Sequence, residues 1–536
     1  MMKSLHRYGF ARAALAAAVA AGLGLTLSAC GASSSGGPSA SSDTLLVDSS
    51  LGATTLDPAV QFDNTAENLV HQMYDTLLTY HGDNIKDIVP GLATSYKASA
   101  DGRTYTFTLR KDAKFADGTP LTSADVAFSY NRTLNMKSNN SHKLTGIKVS
   151  TPDANTVVLN SDEPNPQLPA LVATDSLAIV NAKQVKAAGG TDQPGADKAD
   201  KAGPWFNSHS AGSGPYQLQS FTPNSQVVLV ANPNYWGKKP AFSKVIIKSV
   251  TSTQQQLQDV QNGGAQVAVN LSGNQVKQLS GSVTVHSVQS PTVVYMALSN
   301  DPGSPTSDAD FRKAIALSID YAGLVQLAGE RAVQAAGVIP ASIAGSLPPS
   351  DAVKRDLAAA KAALAASGKA NETVQLSYGS DYAVDGLTMG TFAQRIQASV
   401  AEAGIKMKLV PAPNLDARTQ YSQGKTQIAL WNFPQDVMDP FGFTVYNPGD
   451  LLPTRIHWPA SAPDARPVVE LADKALAEMD SAKRASDYQA WGEALNATYH
   501  FIPLFTGVSH VAGAKGITGL NINGSFGVDY ALLGKS

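Results

Sequence analysis

Apolar and polar residues alternate through residues 101–110, DGRTYTFTLR: Tyr105, Phe107 and Leu109 fall on one side and Thr104, Thr106 and Thr108 on the other. A period of two predicts a half-buried strand, entered through the Asp101-Gly102 turn. The period then changes. After a second turn at Asp117-Gly118, Val126, Tyr130 and Leu134 recur every fourth residue, which predicts a helix. Thr122 or Ser123 is its expected cap, with Asp125 in the first turn. Short apolar runs predict further strands at 156–159, 227–230, 245–247 and 293–300, with a turn at Asn232-Pro233-Asn234. Helical patterns cover 310–328 and 351–368, the second ended by Gly368. Residues 373–379, 387–404 and 405–410 read as strand, helix, strand, with Gly404 at the helix end. Such a unit requires part of the sheet to be parallel, with a right-handed crossover. Residues 187–203, rich in Ala, Gly, Asp and Lys, read as a surface loop. The pattern as a whole is α/β, with a strand-rich section near 100–160.

The N-terminal pattern is different. Residues 1–12 carry Lys3, Arg7 and Arg12 and no acid; an apolar run of about 15 residues follows. That run is shorter than the ~20 residues that span a bilayer, and small residues follow it, so 1–29 reads as a secretory signal peptide. Cys30, the one cysteine of the chain, comes next and precedes a tract of Gly, Ala, Ser and Pro. The pattern Leu27-Ser28-Ala29-Cys30 resembles a bacterial lipobox, which implies cleavage before Cys30 and acylation of its thiol; an ordinary signal peptide with an incidental cysteine is the alternative. Residues 30–43 would then be a flexible tether. No thiol remains for a disulfide, so the body must rely on its core.

The body exceeds what one hydrophobic core supports, and two or three domains are expected. With 43% apolar and 16% charged residues it is globular. Without Lys3, Arg7 and Arg12 it has 38 bases against 43 acids, a net charge of −5. That mild balance argues against nucleic acid, which rewards clustered cations. Chemistry is sparse. None of the nine histidines pair at spacings of two to four, so a metal site on one helix or hairpin is unsupported. No nucleophile elbow, Walker loop or dinucleotide fingerprint occurs. We therefore expect no catalysis and no cofactor.

Eight segments, in order, resemble the bacterial extracellular solute-binding proteins of the peptide/nickel/oligopeptide class (family 5). They are TLDPAV (55–60), VPGLATSY (89–96) with the block 101–132, GSGPYQL (212–218), NPNYWGKKP (232–240), DFRKAIALSID (310–320), AKAAL (360–364), AGIKMKL (403–409) and FIPLF (501–505). The resemblance implies a two-lobed, type II binding-protein fold with a subdomain inserted in the first lobe and the ligand in the cleft between lobes. Lobe 1 is expected at 44–290 and 498–536, with the insertion near 77–205, and lobe 2 at 291–497. It also implies an extracytoplasmic receptor, monomeric and lipid-anchored at Cys30 to the outer face of the cell membrane. Such a receptor closes on a peptide-like solute and passes it to an ABC permease with its ATPase. Another solute, a sugar or a nickel complex, remains open, as does an anchored hydrolase or a sensor reusing the cleft.

Candidate ligand contacts follow from the same resemblance. In LWNFPQDVMDPFGF (430–443), Asp436 matches the family aspartate that holds a peptide's amino terminus, through a charge-assisted hydrogen bond. The gap from Trp431 to Asp436, Asn432 to Gln435, is longer than is usual in the family, which leaves a plain loop acid as the alternative. Trp431 is core or pocket wall. Asn432, Tyr295 and Asn300 are further candidates, Tyr295 on the expected hinge strand and Asn300 at its end. Asp439 is also a candidate, although its position suits capping of the turn before Phe441. Tyr216 and Trp236 read as structural. Gln266, where relatives commonly carry an acid, reads as a neutral surface change.

Overall fold

In the computed structural model the described residues are 43–279, 281–384, 386–435 and 437–536. The expected signal segment, Cys30 and the tether through Ser42 lie outside them, as does Asp436.

Two long strands, Thr284–Leu298 and Phe501–Gly513, run antiparallel through the middle of an 11-stranded sheet. Each end of the pair has its own neighbours. The Val294–Leu298 end takes Ile428–Asn432, then Thr373–Gly379, then Lys406–Ala412. The Gly513 end takes Val267–Ala268, then Thr44–Ser49, Lys244–Ser249, Gln226–Ala231 and Tyr216–Thr222. The sheet therefore has two wings, the first around Thr44–Ser49 and the second around Thr373–Gly379. Between them the ladder breaks, with a register shift between Gln289 and Val293. Pro291 lies inside that break and has no N–H to give a ladder. A second shift falls between Val294 and Tyr295, opposite Pro503.

Local sequence explains the elements. Thr44–Ser49 has parallel partners on both edges, and Leu45 and Val47 are fully buried, as a central parallel strand requires. Thr373–Gly379 and Lys406–Ala412 pair in parallel along their full length, joined by the helix Met389–Ala401. Gly404 turns the chain at φ +92°, a conformation that costs a glycine little. A separate four-stranded antiparallel sheet holds Ala93–Ala98, Thr104–Leu109, Thr156–Ser161 and Ile147–Asp153. In it Tyr105, Phe107 and Leu109 are buried with Val157 and Leu159. The helix Ser123–Asn135 begins with a capping box: Thr122 accepts from the N3 backbone and Asp125 accepts from the Thr122 N–H.

Four local expectations need correction. The apolar pattern over 310–328 is two helices, Ala309–Ser318 and Tyr321–Ala328, because Asp320 caps the second by accepting from the Gly323 N–H. The helix expected from 351 begins at Leu357, after its cap Asp356. Gln266 is no bystander: its Oε1 accepts the Leu46 N–H at 2.7 Å. Residues 187–203 are not all surface, for they contain the short helix Ala196–Ala199 and the buried Asp200.

Asp200 is buried because Arg132 is. The Arg132 guanidinium donates to both oxygens of Asp57, at 2.7 and 2.6 Å, and to both oxygens of Asp200, at 2.8 and 3.0 Å. All three side chains are at most 1% exposed. The segments TLDPAV and SYNR are thus one structural unit. Likewise Gly212 and Gly214 lie against the Met73–Tyr74 backbone, where a Cβ on Gly212 would overlap the Met73 carbonyl. Trp236 donates to the buried Asp75 at 2.9 Å, beside Ser213.

Removing one member of a buried ion cluster leaves the others uncompensated. Asp57→Ala is expected to cost about 3–5 kcal/mol of stability, read as a lower urea midpoint. A loss under about 1 kcal/mol, the level of a surface pair, would contradict the cluster's role.

Candidate functional site

The break between the wings opens into a groove. Its wall on the first wing is the segment 61–68, which enters the helix Asn64–Met73. Asp63 caps that helix, accepting the Ala66 N–H at 2.8 Å. The opposite wall is the chain after strand Ile428–Asn432: Phe433, Pro434, Gln435 and Val437, and the 3-10 turn Pro440–Tyr446. Its floor is the broken ladder, Ser290 to Thr292, with Ser509 and His510 from the strand Phe501–Gly513. Two cavities of about 270 and 330 Å³ occupy the groove and share Asn64, Pro434 and Gln435. The smaller is the more polar of the two, with Ser290, Thr292, Ser509 and Asn523 beside apolar residues in its lining. The larger is mostly apolar, between Phe62 on one wall and Phe433, Phe441 and Leu451 on the other.

The described candidates from sequence are absent from the lining of this groove. Trp431 stacks on Tyr382 at 5.9 Å and tilts against Tyr421 at 5.8 Å. Asn432 is buried and accepts from the Tyr382 hydroxyl at 3.0 Å. Tyr295 is fully buried, edge-on to Tyr446 and Phe501, with its hydroxyl 3.4 Å from that of Tyr421. Asn300 leaves the sheet with its backbone N–H on the Ile456 carbonyl. Asp439 accepts from the Phe441 N–H at 2.8 Å and takes both arms of Arg484, at 2.8 and 2.6 Å. Asp436 lies outside the described residues; its chain neighbours Gln435 and Val437 both line the apolar cavity. The offset has a simple cause. Up to Asn432 the chain is held in the ladder against Val294, so its side chains reach the groove once it leaves the sheet at Phe433.

The groove residues that the sequence did not single out come from several distant segments. One of them left a trace. An apolar residue before a helix cap usually packs on an apolar residue at the fourth helical position. Phe62 precedes the cap Asp63, but Glu67 stands at that fourth position.

The sequence profile of the bacterial extracellular solute-binding proteins, family 5 (middle), matches residues 87–449. The chain belongs to this family. It is 29% identical over 493 residues, 90% of this chain and 92% of the other, to the probable D,D-dipeptide-binding periplasmic protein DdpA of Escherichia coli K12. Its fold is similar to that of a dipeptide-binding protein from Pseudoalteromonas sp. SM9913 in complex with Met-Leu, with a TM-score of 0.76 at 20% identity over 92% of this chain and all of that one. It is similar again to MoaA of Agrobacterium tumefaciens R10 in complex with mannopinic acid, with a TM-score of 0.75 at 23% identity and the same shares covered. The fold is thus the two-lobed one of family 5 binding proteins. No helix among the described residues is long and apolar enough to cross a membrane, and no cluster there of three or more His, Cys, Asp or Glu could hold a metal ion.

Behind the polar cavity of this solute-binding protein sits a buried charge. His71 has Nδ1 3.2 Å from Asp175 Oδ1 and Nε2 3.8 Å from Asp529 Oδ2. Its ring stacks on Phe526, a cavity residue, at 3.5 Å. Burial works against the imidazolium, but the carboxylates of Asp175 and Asp529 outweigh it and push the His71 pKa up to about 10. The charge is also felt by Asp75, a carboxyl that burial raises above its ordinary value. Next to it, Asn68 donates to the Phe526 and Val528 carbonyls, both at 2.7 Å. These bonds fix the cavity wall made by the C-terminal segment.

A folded pKa above the ordinary ~6.5 of histidine means that protonation favours the folded state. His71 contributes in full below about pH 6.5 and loses that contribution as pH rises toward about 10. The urea midpoint of the protein should therefore exceed that of His71→Gln most below pH 6.5, with the gap narrowing up to pH 10. A gap independent of pH would refute the charged state.

Proposed function

We propose that this protein is an outward-facing receptor that captures a peptide-like solute by closure of its two lobes and delivers it to an ABC permease. The observation that carries this reading is the position of the groove. One wall belongs to each wing, and the floor is the broken strand pair that joins them. A ligand there touches both lobes when they are closed and one when they are open. It therefore favours closure by its differential affinity; moving a population from 1:99 to 99:1 takes about 5.5 kcal/mol. We assign lobe 1 to 44–290 and 498–536, with the insertion at 77–205, and lobe 2 to 291–497. The rotation between them falls on a few residues at the ladder break.

A peptide suits the polar cavity, whose hydroxyls and amides match the alternating donors and acceptors of a backbone. The ligands of similar proteins, a D,D-dipeptide and Met-Leu, support the same class. Asp436 is assigned the ligand's amino terminus, where loss of one partner of a buried charged pair costs about 2–5 kcal/mol. Upstream, Cys30 is assigned the lipid anchor to the outer face of the membrane. The receptor acts as a monomer, without cofactor, catalysis or nucleic acid.

Native mass spectrometry of the protein purified without denaturant is expected to show a bound mass that fragments as a peptide. A retained sugar acid or metal complex would keep the receptor and void the peptide. In parallel, Asp436→Ala should weaken a peptide with a free amine by about thirtyfold or more and an N-acetylated one far less. Equal losses would remove Asp436 from that role. Cys30→Ala should abolish radiolabelled palmitate incorporation; continued labelling would place the lipid elsewhere.

A further inference from the structure

On the reading that the groove binds a peptide, we infer that its larger cavity receives a bulky apolar side chain of the ligand and so sets which peptides are taken. Six apolar residues line it from both walls: Phe62 from lobe 1, and Phe433, Val437, Phe441, Val445 and Leu451 from lobe 2. Phe62 is 51% exposed and Leu451 48% exposed. Few large apolar side chains of the described chain are so open, and these two line the same cavity. Exposure of an isolated apolar residue needs no explanation, whereas two on opposite walls of one cavity point to an occupant.

The local chemistry holds both residues out. Phe62 precedes a helix cap but has Glu67, not an apolar residue, at the position where it would fold back. Leu451 opens the short helix Leu451–Thr454 after Asp450, and its neighbours Leu452 and Pro453 take the buried side. The cavity, at about 330 Å³, is ample for a ring, since about 150 Å³ of apolar cavity accommodates benzene. It also adjoins the polar cavity through Asn64, Pro434 and Gln435. A chain whose backbone lies among Ser290, Thr292 and Asn523 can therefore place a side chain between Phe62 and Leu451. The occupant is an aromatic or branched aliphatic side chain on a peptide, since a free hydrocarbon would leave the polar half of the groove unused.

Isothermal titration calorimetry tests this with peptides of two to five residues that differ only in one Ala, Leu, Phe or Asp. Leu and Phe peptides are expected to bind about tenfold or more tighter than their Ala counterparts, and Asp peptides weakest. The double variant F62A/L451A should bring the Phe-to-Ala ratio toward one. Because both residues are half exposed, the variant keeps its core, and an unchanged urea midpoint checks this. Equal affinities across the series, a preference for Ala or Asp, or an undiminished ratio in the variant would overturn the inference and leave the peptide reading standing. No binding by any peptide, with or without binding of octanoate, would overturn both.

Discussion

Everything in this molecule hangs on one pair of strands. Thr284–Leu298 and Phe501–Gly513 bond to each other at the centre of the sheet, and each wing is added to one end of that pair. The pair bonds along most of its length and is interrupted at two places, each with a proline. Pro291 and Pro503 withhold N–H groups near the two register shifts, while the flanking residues keep regular pairing. The groove lies at the same place because side chains near the break are not committed to packing under the sheet. Ser290, Thr292 and Ser509 thus form the floor at the break.

Around this pivot the polar groups divide into two kinds. Some are held in tight ion pairs, such as Arg132 between Asp57 and Asp200, or Asp439 with both arms of Arg484. These fix loops in place; replacing a buried pair with apolar residues is often neutral for stability, so their value lies in the shape they impose. Others, such as Thr292 and Ser509, line a cavity. The groove's two halves differ in the same sense: one offers hydrogen bonds and the other apolar surface. A solute that fills both must itself be two-sided.

Much of the architecture was legible in the chain. Tyr105, Phe107 and Leu109 alternate and are buried together. The Thr122–Asp125 capping box and the strand–helix–strand unit ending at Gly404 stand close to where the periodicity places them. What escaped has a physical reason. The apolar period runs unbroken through Ile319, so the side-chain cap of Asp320 that splits the helix is invisible to it. The burial of Asp200 depends on Arg132, far away in sequence. The groove is harder still, because Phe62, Ser290, Gln435 and Asn523 share no motif and meet through topology alone. Family likeness pointed to the stretch 431–439, and strand pairing sets the groove lining a few residues onward, from Phe433.

The Asn68 bonds to Phe526 and Val528 join residues 458 and 460 positions apart, and Val267–Ala268 needs the last long strand as its partner. The first wing therefore contains both the earliest and the latest strands of the main sheet. At roughly 5–20 residues per second of synthesis, its opening strand exists for tens of seconds before the strand that completes its wing. Throughout that interval Leu45 and Val47 belong to an unfinished sheet with an open edge, the feature that invites pairing with other chains. A protein whose first lobe is closed by its last residues must be kept apart from its neighbours until it is whole.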